Sequence, residues 1–296
     1  MRSAHFRISK PAFRSLHTTP LNLPNAMKHH PFTTTATILL LGVTVAHATF
    51  TTFEGAGIDP AAITPTRDAF RLAIGGGAVA GANGSFGGVR REINWDGVPA
   101  TLSDPNLLPA NFFNTTSPRG VVFSTPGTGF LVSANAGGAT PTLFGFPNDF
   151  QTFTPQKLFT AVGSNIVDVS FFVPGTATSA TTSAFGLMFT DVEIAGDTKM
   201  EFFDAANTLL YTRNALVSGN QGLSFVGALA NSGERISRVR ITSGKNSIVS
   251  NGVLANPNDD VVVMDDFLYA EPAAVPEPTT ALFGLALCAL AGTRRR

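Results

Sequence analysis

The stretch that decides the fold runs from Ile166 to Val173 and reads IVDVSFFV. Its apolar residues recur at every second position, as Val167, Val169, Phe171 and Val173. Successive side chains of a β-strand point to opposite faces, so this spacing places all four on one face. The stretch therefore predicts a half-buried strand of an antiparallel sheet.

Similar alternating runs continue along the chain, with turn residues between them. They cover residues 184–189, 223–229 and 238–242, and a further pair, 200–203 and 209–212, is joined by a predicted hairpin turn. Short strands spaced in this way predict an all-β fold. We expect an antiparallel two-sheet β-sandwich of the jelly-roll type over residues 49–274.

One short helix is predicted near the start of this domain, from Pro60 to about Ile74. Proline fits the first turn of a helix because its missing N–H has no partner there. Gly75 follows the pattern and is expected to end the helix.

The composition of residues 49–275 excludes several classes of site. All five histidines precede residue 49, and the only cysteine is Cys288. The segment therefore cannot build a Ser-His-Asp triad, a Cys-His dyad, a zinc site with His or Cys ligands, or a disulfide. It holds 12 Lys and Arg against 19 Asp and Glu, a net charge of −7. This acidic balance argues against nucleic-acid binding and permits cation binding.

The N-terminal region carries an export pattern. Met27 opens a short basic segment, residues 36–45 are apolar, and Ala46-His47-Ala48 matches a cleavage site. These features predict a signal peptide over residues 27–48, with cleavage after Ala48. Residues 1–26 are basic and hold no acid, which also fits a transit peptide. We interpret them as a disordered extension or as the product of a misassigned start codon, because a complete signal begins at Met27.

The last part of the chain combines three features. Val275-Pro276-Glu277-Pro278 precedes an uncharged run of roughly 14 residues up to Gly292, and Arg294, Arg295 and Arg296 follow. The run predicts a short hydrophobic helix, below the ~20 residues that a stable membrane span needs. The arginines favour the cytoplasmic side. We therefore expect transient membrane association.

In these residues, 275–296, the chain resembles the PEP-CTERM proteins, which are exosortase substrates of Gram-negative bacteria. The resemblance implies recognition at Pro276-Glu277-Pro278 by exosortase, after delivery by the export machinery. It further implies removal of the hydrophobic helix. The mature domain would then be attached to the cell surface or released.

A calcium site is predicted from the two ends of the domain. In a jelly roll the first and last strands are often neighbours, which would bring Glu54 to Asp265 or Asp266. Clustered carboxylates suit a hard cation such as Ca²⁺. These ends also resemble jelly-roll carbohydrate-binding modules, and the resemblance implies a structural calcium. The alternative is that the three carboxylates are solvated or pair with arginines.

A glycan site is suggested by the segment that holds the only tryptophan. Trp95 lies beside Asp96 and close to Arg91, and sugar sites often combine a stacking aromatic with such polar groups. The alternative is a buried Trp95 that anchors a loop. Paired carboxylates for glycoside hydrolysis are conceivable as Glu92 with Asp96, Asp191 with Glu193, or Glu201 with Asp204.

These patterns together predict an exported protein of the cell surface or extracellular matrix. Its domain is expected to be a non-catalytic structural or adhesive module associated with exopolysaccharide. The first alternative is a carbohydrate-binding module, and the second is a glycoside hydrolase.

Overall fold

The computed structural model describes residues 48–275. The predicted signal peptide up to His47 and the sorting signal from Pro276 onward, with its hydrophobic helix and arginines, lie outside these residues. Val275 is the last described residue and is exposed. Among residues 48–275, no helix is long and apolar enough to cross a bilayer.

The described chain is mostly β-structure. Its strands are β1 (Phe50–Gly57), β2 (Ser85–Phe86), β3 (Arg90–Ile93), β4 (Val121–Ser124), β5 (Gly129–Val132), β6 (Phe159–Val162), β7 (Ile166–Phe171), β8 (Ala180–Thr181), β9 (Ala184–Thr190), β10 (Lys199–Phe203), β11 (Leu209–Asn214), β12 (Leu223–Ala230), β13 (Arg238–Thr242), β14 (Ile248–Ser250), β15 (Val253–Leu254), β16 (Val263–Ala270) and β17 (Ala273–Ala274). The α-helices are α1 (Pro60–Ile74) and α2 (Phe112–Thr115). The predicted all-β class is confirmed.

Two principal sheets form a sandwich-like arrangement. The large sheet has ten strands, in the order β1-β12-β9-β16-β6-β14-β15, with β3 beside β16, β2 beside β3, and β5 beside β6. It curls into a half-barrel. The small sheet has the order β11-β10-β13-β7-β4, and β8 pairs with β17 separately. Pairing is antiparallel except between β6 and β14, which run parallel at Val162 and Ile248.

The main core lies between the two sheets, and the alternating pattern explains it. Val167, Val169 and Phe171 of the small sheet share one buried cluster with Phe185 and other residues of the large sheet. This confirms the face that the spacing predicts for 166–173. The predicted hairpin between β10 and β11 also forms, at residues 204–207.

Helix α1 covers the outer face of the large sheet, and its bounds match the prediction. The side chain of Asp59 accepts a hydrogen bond from the Ala62 N–H and caps the helix, and Gly75 ends it at a φ of 89°. The ring of Phe70 lies against Gly186 and Gly227, where a Cβ atom would come within 2.9 Å of it. The large sheet is therefore buried on both faces at this point.

The ends of the domain are not neighbours, which corrects the expectation for the first and last strands. β12 and β9 lie between β1 and β16. Three strand spacings separate β1 from β16, about 14 Å along the sheet.

Strand β16 also contains a bulge, which the alternating pattern does not reveal. Met264 pairs with Phe189 and Phe267 with Leu187, so three steps on β16 oppose two on β9. Asp265 and Asp266 lie in this bulge. Both are buried, although consecutive residues of a regular strand would point to opposite faces.

Candidate functional site

The three predicted calcium ligands do not meet, so that prediction is wrong as a shared site. Glu54 is on β1, where its carboxylate pairs with Arg213 of β11, with Nε of Arg213 2.6 Å from Oε2 of Glu54. Asp265 and Asp266 lie three strands away on β16. Glu54 therefore pairs with an arginine, which is the alternative that the sequence left open for these carboxylates.

Asp265 and Asp266 instead hold a neighbouring loop. Oδ2 of Asp265 accepts hydrogen bonds from the Phe153 N–H at 2.5 Å and the Thr154 N–H at 3.2 Å, and Oδ1 accepts from the Asp266 N–H at 2.8 Å. The Thr154 hydroxyl donates to Oδ1 of Asp266 at 2.9 Å. Burial, and next the charge of Asp266, raise the pKa of Asp265 well above its usual range. Burial also raises the pKa of Asp266 to about 6.

The three predicted glycan contacts have structural roles. Trp95 is buried, as the alternative interpretation of the sequence expects. Trp95 is 0% exposed and stacks on Phe159 with ring centroids 4.1 Å apart. Asp96 accepts hydrogen bonds from two backbone N–H groups, at residues 156 and 157. Arg91 pairs with Glu271 at 2.8 Å. A ring inside the core cannot stack on a sugar, so the site expected at Trp95 is not formed.

The carboxylate pairs considered for hydrolysis have different environments. Glu92 is held by Arg71 at 2.5 Å and by Arg90 at 2.8 Å. Asp204 accepts hydrogen bonds from the N–H groups of its own turn, and Glu201 lies 3.3 Å from Lys199. Asp191 and Glu193 do lie together beside an open cavity.

A cavity of about 350 Å³ lies between the glycine-rich segment, residues 75–88, and strand β3. Its lining includes Glu92 and Asp266, which are diagonal neighbours across the β3–β16 pair, because Leu268 is opposite Glu92. Asn94, Arg119 and Thr154 also line it. The cavity therefore combines two carboxylates with amide, guanidinium and hydroxyl groups.

An acidic cavity of about 320 Å³ is the second site, and it contains a residue that sequence reasoning missed. Asp191 and Glu193 follow β9, and Asp260 precedes β16. One carboxylate oxygen from each lies within 4.8 Å of the others. The adjacent acids Asp259 and Asp260 are visible in the sequence as a possible acidic site, but nothing in the sequence places them beside the end of β9.

Asp191 and Asp260 are buried, while Glu193 is exposed. Oδ1 of Asp191 accepts a hydrogen bond from the Gln221 N–H at 2.9 Å. Burial raises the pKa of Asp191 to about 7, and the charges of Glu193, Asp260 and Asp149 add to the effect. Burial, with the charges of Glu193 and Asp197, raises the pKa of Asp260 to about 6. Ionisation of all the carboxylates in this cavity is therefore unfavourable.

Comparison of the chain with protein-family models and with curated protein sequences found no match.

Proposed function

We propose that this protein is an exported structural or adhesive module of a Gram-negative cell surface or extracellular matrix, sorted by exosortase and associated with exopolysaccharide. Its domain would act without catalysis, through a jelly-roll-like β-sandwich.

The proposal of a non-catalytic role rests on one observation: most residues that the sequence suggests for binding or catalysis make contacts inside the fold instead. Trp95 packs in the core, Asp96 accepts from backbone N–H groups, and Glu92 is paired with Arg71 and Arg90. Residues 49–275 contain neither histidine nor cysteine. A domain whose candidate groups, apart from Asp191 and Glu193, stabilise its own fold is suited to a structural role.

The sorting part rests on the sequence pattern around Pro276-Glu277-Pro278 and on the signal peptide. Expression of the full chain in a Gram-negative host with its exosortase gene intact or deleted tests it. We expect the intact host to yield a product that begins at Thr49 and lacks the hydrophobic run, by intact mass. The deletion host should retain that run in the membrane fraction.

A matched pair of variants isolates the motif. Glu277→Gln should block processing, whereas Glu271→Gln, six residues earlier, should not. Equal processing of both variants, or identical products in the two hosts, would overturn the sorting proposal.

A carbohydrate-binding role is the second candidate, favoured by the cavity whose lining includes the polar residues Asn94, Arg119 and Asp266. A glycan array with the full-length protein, with and without calcium, tests it. We expect any specific binding to fall in Asn94→Ala and to persist in Asn148→Ala, an exposed control. Binding to no glycan in either condition would rule out this candidate and count against the association with exopolysaccharide.

A further inference from the structure

We propose that Asp191, Glu193 and Asp260 together bind one divalent cation, and that the ion is calcium. The site differs from the one that the sequence suggests at Glu54, Asp265 and Asp266. It does not depend on export or on exosortase.

The spacing of the oxygens fits one ion. Calcium binds oxygen ligands at 2.3–2.6 Å, so two ligands of one ion lie at most about 5 Å apart. The three carboxylate oxygens all lie within 4.8 Å of one another. They come from two segments, the end of β9 and the approach to β16, so the ion would join distant parts of the chain.

Asp260 gives the independent observation. It is 9% exposed, and neither of its carboxylate oxygens has a hydrogen bond of normal geometry among the described residues, although the backbone N–H groups of Glu193 and Ile194 lie close enough to lower its pKa. An unpartnered buried carboxylate is strongly destabilising, whereas buried charges are normally paired or coordinate metals. Both oxygens are nearly inaccessible, and one lies in the cluster with Asp191 and Glu193.

The charges around the cavity leave this carboxylate without a counterion. Asp149 and Asp259 also line the cavity, and none of the described lining residues is Lys or Arg. Asp197, whose charge also acts on Asp260, is paired with Lys245 at 3.0 Å. A bound cation would supply the missing positive charge.

The backbone holds the ligands in place. The carbonyl of Asp260 accepts hydrogen bonds from the N–H groups of Lys245 at 3.2 Å and Asn246 at 3.0 Å. Asp191 is held in the left-handed region, at a φ of 73°, with its side chain bonded to the Gln221 N–H. Little rearrangement is therefore needed for binding.

The ligand chemistry favours calcium among the common cations. All three ligands are carboxylates, and Asn220 and Asn258 are among the other residues that line the cavity. Calcium accepts 6–8 oxygens in flexible geometry, whereas magnesium needs a regular octahedron with shorter bonds. The cavity also has room for water ligands, since its volume is about 320 Å³.

Calorimetric titration of chelator-treated, full-length protein with CaCl₂ tests the proposal. We expect one calcium per chain with a Kd on the order of 0.1 mM, as in extracellular modules. Asp260→Asn should weaken binding at least about tenfold, since a neutral amide replaces one carboxylate ligand. Magnesium should bind at least about tenfold more weakly than calcium.

Two further variants keep the test interpretable. Glu193→Gln changes an exposed residue, should fold normally and should also weaken calcium binding. Asp68→Asn, on the surface of α1, should bind like the wild type.

In 2 mM calcium the wild type should melt about 5 °C higher than in chelator, and Glu193→Gln should show a smaller shift. Absence of calcium binding by the wild type, tighter binding of magnesium, or unchanged binding in both Glu193→Gln and Asp260→Asn would overturn the proposal.

Discussion

Two groups of buried carboxylates in this protein differ in what surrounds their oxygens. Asp265 and Asp266 accept hydrogen bonds from the backbone and the hydroxyl of the loop at residues 153–154. The oxygens of Asp260 make no hydrogen bond of normal geometry among the described residues, only a longer approach to the N–H groups of Glu193 and Ile194, and the neighbours Asp191 and Glu193 are themselves acidic. Asp191 and Asp260 share burial and a raised pKa with Asp265 and Asp266, so neither property identifies a binding site. The difference lies at Asp260, whose oxygens lack the short hydrogen bonds that hold Asp265 and Asp266, whereas Asp191 accepts one from the Gln221 N–H.

The largest expected effect on stability is at Asp265, because its side chain holds the loop at residues 153–154. Asp265→Ala would leave the N–H groups of Phe153, Thr154 and Asp266 without an acceptor, and each unmet donor costs about 1–3 kcal/mol. We expect the free energy of unfolding to fall by about 4 kcal/mol in urea denaturation, offset in part by removal of a buried acid. A loss below about 1 kcal/mol would mean that the donors find other partners.

The second effect is a pH dependence at Asp266. Its pKa of about 6 lies above the ordinary 3.8, so between these values the folded state holds a proton that the unfolded chain has released. Stability from this group is therefore present below pH 4 and is lost as the pH rises through about 6.

Comparison with Asp266→Asn, which does not titrate at this position, measures the contribution of Asp266 together with the effect of its charge on the pKa of Asp265. In chelator, the wild type should lose about 2–3 kcal/mol relative to the variant between pH 4 and pH 7. The measurement is urea unfolding at each pH. A difference that is constant with pH would show that Asp266 titrates normally in the folded protein.

The third effect concerns calcium and the independence of the two groups. With a Kd of 0.1 mM, 2 mM calcium stabilises the folded protein by about 2 kcal/mol. Asp265→Asn, which keeps one acceptor oxygen, should show the same calcium-dependent gain, because it does not belong to the acidic cavity. If the gain disappears in Asp265→Asn and persists in Asp260→Asn, the assignment of the two groups is reversed.

The smallest effect is expected at Glu54, whose partner Arg213 is 40% exposed. Exposed ion pairs contribute at most about 1 kcal/mol, so Glu54→Gln should reduce the free energy of unfolding by less than that. Its response to calcium should match that of the wild type. A lost calcium response in Glu54→Gln would restore the site expected from the sequence.

Much of the fold follows from local pattern. The alternation in 166–173 places Val167, Val169 and Phe171 in the core, and proline and glycine mark both ends of α1. These features depend on neighbours in the sequence, where strand and helix periods act directly.

The sites depend on long-range contacts, which the pattern does not contain. Trp95 is enclosed by Phe113, Phe159 and Phe267, which come from three distant segments. The bulge in β16 buries two consecutive aspartates, and two intervening strands separate Glu54 from them. Asp260 meets Asp191 only because the sheet order brings the start of β16 beside the end of β9.

Diffraction from crystals of the protein soaked in a lanthanide that replaces calcium tests the central claim most directly. We expect one anomalous peak about 2.5 Å from carboxylate oxygens of Asp191, Glu193 and Asp260, and none beside Asp265 and Asp266. A peak at Asp265 and Asp266, or no peak between Asp191 and Asp260, would contradict it.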